Sequence, residues 1–269
     1  PECTQTLLAA FDDISKAGAA VANIISAGII PAGLEMMDKL AIQAAEDFVH
    51  AGYPKNAAAI LLCELDGSRG EVDTHTIAVH EILITSGATE VRTAKDEQQG
   101  ITFWKGRKSA FPAVGRISPD YYCMDGTIPR KKLAHVLRAI TEMSQQYGLA
   151  IANVFHAGDG NLHPLILYDA NIPGELQRAE DFGANILELC IKVGGTITGE
   201  HGVGMEKLNQ MCVQFELTEL DQFHAVKAAF DPKSLLNPGK AIPTLHRCAE
   251  FGAMHIHDGK LPHPELERF

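Results

Sequence analysis

Short apolar runs alternate with longer stretches of helical periodicity over the first two-thirds of the chain. The run Ala57–Leu65 has the length of a strand and ends in the turn residues Asp66 and Gly67. The stretch Asp12–Ala27 has a helical pattern and an aspartate cap at its start. The pattern predicts strands at Thr6–Phe11, Gly33–Met37, Ala57–Leu65, Glu90–Thr93 and Tyr121–Asp125, a hairpin at Ile151–Tyr168, and helices at Asp12–Ala27, Ala41–Ala51, Val72–Ser86, Ala94–Lys108, Arg130–Tyr147, Pro173–Val193 and Thr218–Phe230.

The hairpin at Ile151–Tyr168 decides the predicted fold class. Strand–helix–strand units of this length suit either a parallel sheet or an antiparallel split βαβ arrangement. A hairpin pairs its two strands antiparallel, which favours α+β. We expect residues 1–170 to form a sheet-and-helix part and residues 171–269 a helical part with a Pro- and His-rich tail.

Composition and charge narrow the class of protein. The chain has 269 residues, of which 46% are hydrophobic, and this length can bury a substantial core. The net charge of −11 argues against nucleic acid as a partner. No apolar run approaches the roughly 18 residues of a membrane span, and no signal peptide opens the chain. Six scattered cysteines without a CxxC pair favour reduced thiols in a cytoplasmic protein. The first residue is not Met, so we expect a fragment or a processed product.

The turn sequence Gly-Asp-Gly-Asn carries a histidine on each side. With a loop at Gly158–Asn161, His156 lies opposite His163. Directly opposed residues share a sheet face with Cβ atoms about 5 Å apart, so both imidazoles could reach one divalent metal. Hairpin geometry leaves a pair of surface histidines beside a turn equally open.

A second stretch, Gly194–Gly204, places Glu200 and His201 together among glycines. Adjacent side chains on an extended backbone point in opposite directions, so one could bind a metal while the other faces a substrate. Two histidines and one carboxylate form a common catalytic metal set. The alternative is a capped loop with a solvated Glu200.

Basic residues near the only Trp offer a site for an acidic substrate. Arg binds a carboxylate through two parallel hydrogen bonds, which makes Arg107 a candidate and Arg116 a weaker one. Histidines in the tail, at His246–Cys248 and His255–His257, could form a second metal site, although we favour a docking surface or a solvated end.

Several motifs together resemble the C-terminal domain of FAD-linked oxidases of the vanillyl-alcohol-oxidase type. These motifs are FHAGDGNLHP, GGTITGEHGVG, FDPKSLLNPGKAIP, FPAVGRISPDYYCMDGTIPR, HRCAEFGAMH, the ending PELERF and the stretch AGLEMMD. Within that family the chain is similar to the FAD-binding D subunits of bacterial glycolate oxidases. The resemblance covers the whole chain and implies a mostly antiparallel, ferredoxin-like sheet flanked by helices. The family's N-terminal FAD-binding domain has no counterpart in this sequence.

The resemblance also implies residue roles. His156, His163 and Glu200 match the ligands of a divalent metal, zinc or alternatively manganese or iron, and His201 matches the general base. Arg107 matches the arginine that binds the substrate carboxylate in the family. The Asn of the NPGK segment, here Asn237, matches a residue near the flavin. Asn161 is a further candidate for FAD binding, and Arg116 is a further candidate for substrate binding.

Two departures from the family pattern indicate a small monoacid. Where some relatives have a Lys shortly before the residue matching Asp125, this chain has Cys123 or its neighbour. Relatives that act on diacids have an Asn two residues after the second His, and here that residue is Leu165. Both losses remove an anchor for a second carboxylate, which favours glycolate or D-lactate.

The implied reaction is oxidation of the 2-hydroxy acid to the 2-oxo acid by hydride transfer to FAD. The implied partners are a second flavin subunit and an iron–sulfur subunit of a glycolate oxidase complex. The resemblance implies a cytoplasmic protein, with peripheral attachment to the inner membrane through the complex as an alternative. A homodimer is a further option, and the fragment alone is expected to be inactive. Two other readings stay open, a metal-dependent hydrolase and a non-catalytic module that docks onto partner subunits.

Overall fold

The structure is a computed structural model that describes residues 1–244. It divides into two compact units, the first being Pro1–Gly195 and the second beginning at Thr196. The His-rich tail, with its predicted docking surface or second metal site, lies outside the described residues. No helix in the described part is both long and apolar enough to cross a membrane.

The first unit is built on one seven-stranded sheet in the order β4-β1-β3-β2-β6-β7-β5. Every pairing between these strands is antiparallel, which confirms the predicted α+β class. The strands are β1 Cys3–Phe11, β2 Gly33–Asp38, β3 Ala59–Gly67, β4 Glu90–Thr93, β5 Asp120–Cys123, β6 Ile151–His156 and β7 Asn161–Tyr168.

Helices cover both faces of this sheet, because the strands are apolar on both sides. Leu7, Ala9 and Phe11 of β1 face one layer of helices, and Leu8 and Ala10 face the other. The first layer holds α1 Ile14–Ser26, α3 Arg69–Thr85, α6 Leu133–Tyr147 (after a 3-10 turn at Arg130–Lys132) and α7 Glu175–Lys192. The second layer holds α2 Lys39–Val49, α4 Glu97–Lys108 and α5 Ala110–Val114.

The second unit contains α8 Leu208–Gln214 and α9 Leu217–Phe230. A capping box between Glu216 and Glu219 fixes the start of α9. After α9, the Asp231 carboxylate accepts hydrogen bonds from the backbone N–H groups of Leu235 and Leu236. Predicted helix α9 is therefore present, whereas α8 and the short α5 were not predicted.

Helix α7 falls in the first unit, although the expected division of the chain lies before it, after residue 170. Its buried residues Ala179, Phe182, Ile186 and Cys190 join the core between the sheet and the first helical layer. The apolar stripe of α7 thus completes the cover of β7 and β5, since amphipathic helices bury their apolar side.

Four cysteines of the described residues form no disulfide bond: Cys3, Cys63, Cys123 and Cys190. Burial raises the pKa of Cys63 and Cys190 to about 12 each, so these two thiols are unreactive core residues. Cys212 is disulfide-bonded, so the expectation of reduced thiols throughout is wrong at this position.

A buried carboxylate ties β2 to β6 where α2 begins. Oδ1 of Asp38 accepts a hydrogen bond from Ala41 N at 3.0 Å and so caps α2. Its Oδ2 accepts from Asn153 N at 2.9 Å and from Asn153 Nδ2 at 2.7 Å. Desolvation by burial raises the pKa of Asp38 from 3.8 to about 6, against the opposing effect of these donors.

We expect this carboxyl to make the unfolding free energy depend on pH. Since its folded pKa exceeds the unfolded value, the folded chain binds more protons between about pH 4 and pH 6. Stability from this group therefore falls as pH rises through that window, by about 3 kcal/mol. Denaturant unfolding of the wild type and of Asp38→Asn across this range measures the difference. A wild-type advantage that stays constant with pH would refute the assignment.

Candidate functional site

Four polar side chains line one face of the sheet in a region where the strands are otherwise apolar. Glu35 of β2 pairs with His156 of β6, and His156 pairs with Asn161 of β7. His163 follows two positions after Asn161, so it lies on the same face of β7. Glu35, Asn161 and His163 are buried, and the His156 side chain is 34% exposed. The sheet therefore presents a carboxylate, two imidazoles and an amide side by side.

The two imidazoles are close enough to share a ligand. Their ring centroids are 5.0 Å apart and the rings are nearly perpendicular, and one ring nitrogen of each lies within 4.8 Å of the other. Phe111 of α5 packs edge-on against His163, with centroids 6.4 Å apart. The pair thus has an apolar wall on the His163 side.

The predicted hairpin register is wrong by two residues, although the shared face is confirmed. His156 lies opposite Asn161, and His163 lies opposite Val154. Segment Gly126–Ile128 pairs with the start of β7, where Leu162 N donates to Gly126 O and Ile128 N donates to Gly160 O. This pairing draws Asn161 into the sheet and moves the turn back by one residue. Side chains keep their face because a shift of two preserves the alternation.

Arg107 reaches this face from α4 and is paired with Glu35. Its Nη2 and Nε lie 2.8 Å and 3.0 Å from Oε2 of Glu35, and both side chains are about one-tenth exposed. The other carboxylate oxygen, Oε1, lies 2.7 Å from Nδ1 of His156. Gly106 lets α4 approach closely, since a Cβ there would lie 2.5 Å from the Tyr53 ring. The predicted substrate clamp thus has a partner within the protein.

Glu35 is the site residue that sequence reasoning missed. In the sequence, its stretch AGLEMMD contributes only to the family resemblance. The available signal was a Glu between Leu34 and Met36 in a strand-like apolar run, because charged residues are rarely buried unless they are paired.

Asn161 and Cys123 complete the surroundings of the two histidines. Asn161 is 6% exposed, and its Oδ1 has no hydrogen-bond partner among the residues that the structure describes. A buried acceptor without a donor costs free energy, so Oδ1 suits a donor from a bound group. Sγ of Cys123 lies within 4.8 Å of a ring nitrogen of His163.

Arg116 is exposed, with its guanidinium 5.5 Å from the centroid of the Phe48 ring. This cation–π contact gives Arg116 a surface role. The predicted part in substrate binding stays a prediction.

Glu200, His201 and Asn237 belong to the second unit. Glu200 and His201 are each about half exposed, and Oε1 of the first lies 3.6 Å from Nε2 of the second. The loop is closed by a hydrogen bond from Gly202 N to Thr198 Oγ1 at 2.9 Å. Asn237 is exposed and has a φ of 43°, a left-handed conformation that Asn tolerates.

Comparison with known proteins places the chain in a family. The family described as FAD linked oxidases, C-terminal domain, matches residues 1–241, and the chain belongs to it. The chain is 67% identical over 269 residues to glycolate oxidase subunit GlcD of Escherichia coli strain K12, covering all of this chain and 54% of that protein. It is 39% identical over 240 residues to glycolate oxidase subunit GlcD of Bacillus subtilis strain 168, covering 89% of this chain and 51% of that protein.

A solved structure supports the fold. The chain is similar to p-cresol methylhydroxylase with substrate bound, with a TM-score of 0.69, 17% identity, and coverage of 91% of this chain and 54% of that one. At this identity the likeness shows the architecture alone. The chain therefore spans about half the length of the relatives it matches.

Proposed function

We propose that the chain is the substrate-side part of a flavin-dependent 2-hydroxy-acid dehydrogenase that oxidises glycolate, or D-lactate, to the 2-oxo acid. The observation that carries this proposal is the pair His156–His163, which shares a sheet face with the Arg107–Glu35 ion pair. Membership of the FAD linked oxidases and 67% identity to a glycolate oxidase subunit support the reaction class.

The imidazole pair fits a divalent metal. Two ring nitrogens lie within 4.8 Å of each other, and His156 is one-third exposed, so a cation could reach both imidazoles from solvent. Glu200, from the second unit, is the third ligand that the family resemblance implies. Zinc suits nitrogen and oxygen donors, with manganese and iron as alternatives. When bound, such a cation supplies Lewis acidity that lowers the pKa of a substrate hydroxyl.

Asn161 and Asn237 are the residues that we propose toward FAD. The buried Oδ1 of Asn161 calls for a hydrogen-bond donor, which a flavin or its ribityl chain offers. When bound, FAD supplies the acceptor of the hydride.

The chain's own residues would position the substrate and move its proton. A guanidinium carries five N–H donors, so Arg107 can hold Glu35 and also reach a substrate carboxylate. His201 is half exposed, and its imidazole would accept the hydroxyl proton as a general base. Phe111 would keep water from the His163 side of the site.

The same face favours a small monoacid. Leu165 is buried and continues this face of β7 beyond His163, so it gives a second carboxylate no donor. Cys123, which pairs with Leu165 across β5 and β7, is also no anion ligand. The relatives are named as subunits, so we propose that the whole protein acts within a complex. We propose a second flavin subunit and an iron–sulfur subunit as its partners, with a homodimer as an alternative.

Reconstitution tests the proposed reaction. We expect the chain, co-expressed with the N-terminal half of the Escherichia coli relative, to give a flavoprotein whose flavin is bleached by glycolate. Dicarboxylates such as D-2-hydroxyglutarate should bleach it more slowly. Ester or amide hydrolysis without bleaching would favour a metal-dependent hydrolase instead. A flavoprotein with neither activity would favour a docking module.

A further inference from the structure

Glu35 uses both oxygens of its carboxylate to join two different elements. Oε2 accepts hydrogen bonds from Nε and Nη2 of Arg107 on α4, and Oε1 contacts Nδ1 of His156 on β6. The antiparallel register places Glu35 directly opposite His156, so one carboxylate oxygen lies beside the imidazole while the other accepts from the guanidinium.

This arrangement defines which nitrogen of His156 carries a proton. A carboxylate paired with a guanidinium is an acceptor only, so Nδ1 of His156 must be the donor of the 2.7 Å hydrogen bond. In the neutral ring the lone pair then lies on Nε2. His163 follows the same rule, since its Nδ1 is 3.4 Å from the Met124 carbonyl oxygen, which also only accepts. Both rings therefore carry their acceptor nitrogen at Nε2.

We infer that Glu35 is a positioning residue that sets the tautomer and the ring orientation of His156, with Arg107 holding Glu35 in place. Histidines that bind metals commonly donate their second ring N–H to a carboxylate or a backbone carbonyl, and losing that partner weakens metal binding roughly 10- to 100-fold. The metal part of this inference rests on the proposed function, but the tautomer part does not.

Glu64 provides a matched control. It lies on the neighbouring strand β3, two residues after Leu62, which pairs with Glu35. Glu64 therefore lies on the same face of the sheet as Glu35. Its Oε2 accepts a hydrogen bond from Thr6 Oγ1 at 3.2 Å. Glu64→Gln therefore removes a carboxylate from the same face without touching the hydrogen bond to His156.

The experiment measures two things on the full 269-residue chain: the His156 tautomer and the affinity for Zn²⁺. Long-range ¹H–¹⁵N correlation of the imidazoles in the metal-free wild type should show His156 protonated at Nδ1. In Glu35→Gln the amide can also donate, so we expect a mixture of tautomers. Competition with a chromophoric chelator should show Zn²⁺ binding weakened roughly 10- to 100-fold in Glu35→Gln and unchanged in Glu64→Gln.

The outcomes separate this inference from the proposed function. A wild-type His156 protonated at Nε2 would overturn the inference without any variant, even if Glu35→Gln folds poorly. The inference would also be overturned if Glu35→Gln had the same His156 tautomer and the same Zn²⁺ affinity as the wild type and differed only in a lower melting temperature. Glu35 would then be a structural ion-pair residue. A wild type that binds no Zn²⁺ would count against the proposed metal site, while the tautomer result would still decide the role of Glu35.

Discussion

Replacing His163 with alanine is expected to abolish stoichiometric metal binding by this chain. The wild type should hold about one equivalent of zinc, manganese or iron, because two imidazoles on one sheet face are set to share a cation. Removing a ligand should lower the metal affinity by more than the roughly 10- to 100-fold that follows from losing a residue that supports a ligand. Elemental analysis after metal loading and exhaustive dialysis measures the content directly.

The matched control is His80→Ala, which removes an exposed imidazole on α3 in the other helical layer. His80→Ala should keep the full equivalent of metal. That result would show that the loss of metal in His163→Ala does not come simply from having one histidine fewer. His156→Ala should behave like His163→Ala, and because His156 is one-third exposed it perturbs the core less. Retention of the metal in both site variants, or no metal in any protein, would mean that these histidines are structural residues.

Local pattern predicted the strands and most of the helices, because each depends on neighbours in the chain. The hairpin Ile151–Tyr168 was found from its turn residues, and Asp13 caps α1 as expected from its position before an apolar stretch. The register of that hairpin was not accessible locally. It is set by Gly126–Ile128, a segment distant in sequence that pairs with β7 and includes Asn161 in the sheet.

The Arg107–Glu35–His156 chain of contacts was missed for a similar reason. Glu35 and Arg107 are 72 positions apart, and Glu35 and His156 are 121 positions apart, so no motif contains two of them. Sequence reasoning assigned the guanidinium to the substrate, because an isolated Arg near a Trp shows no internal partner. The sheet order places β2 beside β6, and Arg107 of α4 reaches Glu35 on β2, so the partner exists only in the folded chain.

Replacing Arg107 with methionine is expected to destabilise the first unit by about 3–5 kcal/mol. Methionine keeps the length of the side chain but leaves the Glu35 carboxylate buried without its cation, and an uncompensated buried charge costs that much. Arg178→Met is the control, since the Arg178–Glu175 pair lies on the surface of α7 and should change stability by less than about 1 kcal/mol. Chemical denaturation of both variants gives the comparison.

A double variant shows how far the two partners depend on each other. Arg107→Met with Glu35→Gln should cost less than the sum of the two single changes, because it removes both charges of the buried pair. If Arg107→Met lowered the free energy of unfolding no more than Arg178→Met does, the buried Glu35 carboxylate would not depend on the guanidinium of Arg107. Glycolate binding by the reconstituted double variant is compared with that of Glu35→Gln alone, because both proteins lack the Glu35 carboxylate. Weaker binding by the double variant would mean that Arg107 acts on the substrate as well as on Glu35. Equal glycolate binding by the double variant and by Glu35→Gln would mean that the guanidinium serves the protein alone, and that another cation holds the substrate carboxylate.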